Sequence, residues 1–106
     1  MPLYVLLGQH SADLCPTSNA KSRKLAEDLG ANLASLAGKH NVKPVGVYVL
    51  GLTHKMVALL EAPNAEAVRA FGMEGNLVQW NSVEIHPAWT MEEALKETQA
   101  LTPVNW

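Results

Sequence analysis

Two periodicities take turns along this chain. Leu3 to Gln9 is rich in Val and Leu and predicts a strand, with Leu3, Val5 and Leu7 on one face and Tyr4, Leu6 and Gly8 on the other. His10 to Thr17 carries Ser11, Asp13, Cys15 and Pro16 and predicts a loop. Ser18 is a candidate N-cap for a long helix, because Leu25, Leu29, Leu33 and Leu36 recur at helical spacing. Gly38 and His40 mark its end. Val45 to Gly51 and Lys55 to Glu61 predict two strands of a hairpin, turning at Leu52, Thr53 and His54. Pro63 and Asn64 open a short helix carrying Val68 and Phe71 and stopping at Gly72. A fourth strand is expected from about Leu77 to His86, ended by Pro87. Thr90 and Glu93 are spaced as a capping box for a last helix through about Thr98.

The order β-α-β-β-α-β plus a terminal helix predicts one α+β domain over residues 1–106. It is the ferredoxin-like arrangement: an antiparallel sheet of order 4-1-3-2 with both helices on one face and a C-terminal helix. The purely apolar faces (Leu3/Val5/Leu7, Val45/Val47/Val49 and Val83/Ile85) are assigned to the helix side. That leaves Tyr4, Leu6, Tyr48, Val57, Leu59, Val78 and Trp80 on the opposite face. Such a face is too apolar for water, so a second copy is expected to cover it, giving a homodimer. Trp80→Glu should then weaken assembly. Trp89 and Trp106 are expected to cover apolar surface at the chain end.

Several stretches carry a family resemblance. Met1 to Leu7, the run from Gly46 to Glu66, Gly75-Asn76, and Pro87 to Glu93 resemble GYD domains, and Glu84-Ile85-His86-Pro87 is similar to the DUF3303 family. Both belong to the dimeric α+β barrel group, so the resemblance implies that fold over roughly residues 1–95. The Tyr-Asp pair of GYD domains falls here on Thr53 and His54. No common activity is implied.

Composition narrows the function classes. Apolar residues make up 48% of the 106 and charged residues 17%, enough to build a core. Eight basic residues against ten acidic ones give a net charge of −2, which speaks against nucleic acid. Leu3–Leu7 is too short for a membrane span or a signal segment, so a soluble protein is expected. A single cysteine, Cys15, excludes an intrachain disulfide and points to a reducing, cytoplasmic setting.

Three constellations could carry chemistry. His10, Cys15 and His54 should meet at one end of the sheet, where the first strand finishes and the hairpin turns. Two imidazoles and a thiolate suit zinc or copper, with one coordination position open, or a reactive thiol with a histidine as base. The bland alternative is a packed cysteine and a solvated histidine. His86 and Tyr4 are the candidate catalytic pair, as general base and hydrogen-bond donor to a carbonyl. Cyclases of the same barrel group, which the resemblance brings in, are built along such lines, so the enzyme expected is cyclase- or isomerase-like. Otherwise His86 simply ends its strand. Tyr48, Trp80 and Leu6 are candidates for holding a small apolar or aromatic ligand between the sheet and a partner. Three functions therefore stand side by side: ligand binding with or without turnover, metal or thiol chemistry, and a non-catalytic assembly module.

Overall fold

The computed structural model describes residues 1–104. Its elements are β1 (Leu3–Gln9), α1 (Ala20–Lys39), β2 (Lys43–Leu50), β3 (Lys55–Glu61), α2 (Ala65–Glu74), β4 (Ser82–Ala88) and α3 (Met91–Gln99), with 3-10 turns at Ala12–Leu14 and Leu77–Gln79. The fold is α+β, with one four-stranded antiparallel sheet of order β2-β3-β1-β4, which read from the other edge is 4-1-3-2. No helix among the described residues is long and apolar enough to cross a membrane.

The helix ends follow from their capping chemistry. Asn19, rather than Ser18, caps α1, its side chain accepting from the Ser22 N–H at 2.9 Å. Asn41 takes the left-handed conformation that stops the helix (φ 56°). Asn64 caps α2 in the same way through the Ala67 N–H. Thr90 and Glu93 form a complete capping box for α3.

Both long helices cover one face of the sheet. Leu6, Leu60, Leu77 and Val68 are the largest fully buried side chains, each contributing roughly 1.5–3 kcal/mol by burial. Phe71 and the Leu25, Leu29, Leu33 and Leu36 stripe of α1 pack around them.

The face assignment of β1 is corrected. Tyr4, Leu6 and Gly8 point to the helices, and Leu3, Val5 and Leu7 to the open side. Hydrophobicity could not decide this, because both faces of β1 are apolar. Steric demand explains it better: a Cβ on Gly8 would lie 2.7 Å from Met56 Cγ and 3.4 Å from Asn81 Oδ1, so this parity suits close packing from above. In β2 a bulge between Pro44 and Gly46 breaks the alternation. Val47 and Val49 then pair with Ala58 and Met56 on the helix side, while Tyr48 lies on the open side.

The fourth strand is also corrected. Asn76 sits in a left-handed conformation (φ 60°) and starts a 3-10 turn, so Leu77, Val78 and Trp80 precede β4. Pro87 does not end the strand, since β4 is an edge and Pro87 there opposes Tyr4. Trp89 is exposed, and Trp106 lies outside the described residues.

Candidate metal centre

Continuing the parity of Tyr4, Leu6 and Gly8 by one step carries His10 to the helix side. The backbone N–H of His10 donates to the His54 carbonyl at 3.0 Å, extending the β1–β3 ladder past the Gln9–Lys55 pair. His54 itself sits at the β2–β3 turn in a left-handed conformation (φ 55°). That region disfavours any residue with a Cβ by roughly 1–2 kcal/mol. Strain of this kind is commonly found at functional sites.

Cys15 arrives from the other side. It follows the 3-10 turn at Ala12–Leu14, and its carbonyl accepts from the N–H groups of Ser18 and Asn19 as α1 begins. Arg23 pins this loop by donating to the Pro16 and Thr17 carbonyls, both at 2.8 Å, and Asn19 Nδ2 donates to the Asp13 carbonyl. Cys15 is thereby held, buried, against the end of β1.

One ligating atom each from His10, Cys15 and His54 lies within 4.8 Å of the others. The rings of His10 and His54 meet edge to face, with centroids 5.4 Å apart, and Trp80 lies against His10 at 5.2 Å.

The protonation pattern can be followed atom by atom. Asn81 Nδ2 donates to the Leu77 carbonyl at 3.2 Å, which turns Asn81 Oδ1 toward His10 Nδ1 at 3.1 Å. An amide oxygen only accepts, so His10 carries its proton on Nδ1 and leaves the Nε2 lone pair bare. His10 Nε2 and His54 Nδ1 are both buried without a hydrogen-bond partner. Buried polar atoms are ordinarily paired, so two orphan imidazole nitrogens beside a thiol need an explanation.

The thiol is tuned in the same direction. Thr17 Oγ1 donates to Cys15 Sγ at 3.0 Å. This bond and then the Thr17 backbone N–H are the largest causes that hold the Cys15 pKa down at about 6 against the opposing effect of burial. The shift favours the thiolate, the form in which sulfur ligates metals or attacks carbon.

All three residues line one cavity of about 410 Å³ between α1 and β2. Its body is apolar, built from Ala26, Leu29, Leu33, Val47 and Val49.

The other two candidate sets do not assemble. Tyr4 is buried beneath the helices, whereas His86 pairs with Val5 and is exposed on the open face, 3.6 Å from Glu84. The parity difference puts a whole sheet between them, so they cannot act on one ligand. Of the third set only Tyr48 is separated likewise: it is exposed on the open face, whereas Leu6 and Trp80 both belong to the buried core on the helix side, Trp80 beside His10. The proposed Trp80→Glu test of assembly therefore addresses the wrong face.

Sequence reasoning missed Thr17, Asn81 and Arg23. Thr17 was within reach, two residues beyond the candidate cysteine. Asn81 carries no local signal, because its role depends on the tertiary meeting of β1 with the turn before β4. No protein-family model matches the chain, and no curated protein matches it.

Proposed function

We propose that the protein binds one zinc or copper ion through His10 Nε2, Cys15 Sγ and His54 Nδ1, leaving a coordination position open toward the apolar cavity. The observation that carries this is the pair of buried, unpartnered imidazole nitrogens next to the Cys15 sulfur. Two nitrogens and one sulfur form a ligand set for a borderline or soft ion. Tetrahedral zinc needs such atoms about 3.3–3.6 Å apart, given bonds of about 2.0 Å to nitrogen and 2.3 Å to sulfur. Small side-chain rotations accomplish that closure. The Asn81–His10 bond is the outer-shell contact that fixes a ligating histidine. Three protein ligands with an open position are the pattern of sites that bind or transform a molecule, in contrast to closed structural sites.

The test is direct. Metal-free protein titrated with zinc should take up one equivalent per chain, and Cys15→Ser should take up none while keeping its fold. Wild-type protein that takes up no zinc or copper overturns the reading.

We further propose that the open sheet face pairs with a second copy, as the resemblance to the dimeric barrel group implies. What supports this is the row of Leu3, Val5, Leu7, Val57 and Leu59, all only half-buried on that face.

A further inference from the structure

The cavity beside the triad is larger than an ion needs, and most of its polar lining is committed. Asn81 is engaged with His10 and Leu77, and Thr17 with Cys15. On the reading above, His10 Nε2 and His54 Nδ1 belong to the metal. Two polar side chains are left over, Lys55 and Trp80. Trp80 Nε1 is a buried donor with no acceptor, on a side chain only 9% exposed that lines this cavity.

An indole N–H can only donate, so its missing partner must be an acceptor. The walls of Ala26, Leu29, Leu33, Val47 and Val49 suit an apolar body, and Lys55 adds a charged side chain to the lining. About 410 Å³ lies within the range of small-molecule sites. A carbonyl oxygen satisfies the donor without a proton of its own to place, and it is also a ligand that zinc accepts.

We infer that the cavity takes a small molecule with an apolar body that ends in a carbonyl oxygen. The oxygen accepts from Trp80 Nε1, and the body lies between α1 and β2. The inference rests on the metal reading only in placing that oxygen beside the ion.

Acetophenone is a suitable probe, with ethylbenzene as the control of similar shape that lacks the oxygen. The indole N–H resonance of Trp80, identified by its loss in Trp80→Phe, should move downfield saturably with acetophenone and stay in place with ethylbenzene. Trp80→Phe should weaken acetophenone about fivefold and leave ethylbenzene unchanged. Gly30 lines the cavity with open space around its Cβ position. Gly30→Phe should therefore abolish binding of both probes at unaltered zinc stoichiometry. Protein that binds one zinc yet shows no acetophenone effect at Trp80 overturns this inference alone. Protein that binds no zinc overturns the metal reading, and the acetophenone shift in zinc-free protein then still decides the cavity.

Discussion

Asn81 holds His10 in one tautomer because its own amide is held by the Leu77 carbonyl. The chain of two hydrogen bonds connects the turn before β4 to the atom that would bind metal. Asn81→Ala should lower zinc affinity about 10- to 100-fold with all three ligands still present. Competition with a chromophoric chelator measures this, and an unchanged affinity would show that the His10 ring is oriented by something else.

Cys15 should alkylate with a pH midpoint near 6 in metal-free protein, against about 8.5 for an ordinary thiol. Thr17→Val removes the largest cause of the depression and should move the midpoint upward. Iodoacetamide labelling followed by mass gives the profile. The sign for stability follows from an acid whose folded pKa is lowered. Its contribution is fully present above the unfolded pKa and is lost as pH falls through about 6. The stability difference between wild type and Cys15→Ser should therefore shrink between pH 9 and 6 and become constant below.

His54→Gly and His54→Ala both remove the imidazole, but only glycine relieves the left-handed backbone. In metal-free protein the glycine variant should be the more stable of the two by about 1 kcal/mol. Thermal melts of the pair decide this; equal midpoints would mean that the turn relaxes without cost.

Leu59→Glu should convert a dimer to monomers, since Leu59 lies on the open face beside Val5. Sedimentation velocity at micromolar concentration reads the change. Wild-type protein that is already monomeric there would remove the proposal of pairing.

The element order was legible because each element declares itself locally: the leucine stripe of α1, the alternation in β3, the Thr90–Glu93 box. The approach of His10 to His54 was legible too, since β1 must end where the strand it pairs with begins. What stayed hidden needed a comparison of two apolar alternatives. Both faces of β1 look equally buried in sequence, and only the packing over Gly8 separates them. Val78 and Trp80 continue a strand-like run, and nothing in the sequence around Asn76 announces the left-handed turn that takes them out of it. Tyr4 and His86 were paired on the strength of that misplaced parity.

The bond from His10 to the His54 carbonyl joins segments far apart in the chain. A bridging ion would add a cross-link at the same place, in a protein whose lone cysteine excludes an internal disulfide. Because the unfolded chain does not preassemble three ligands, bound metal would act as a removable clasp on the native state. At free metal one hundredfold above Kd the clasp adds about 2.7 kcal/mol. A chelator would then loosen the hairpin end of the sheet before the Leu6–Leu60 core, and amide exchange near Lys55 would quicken first.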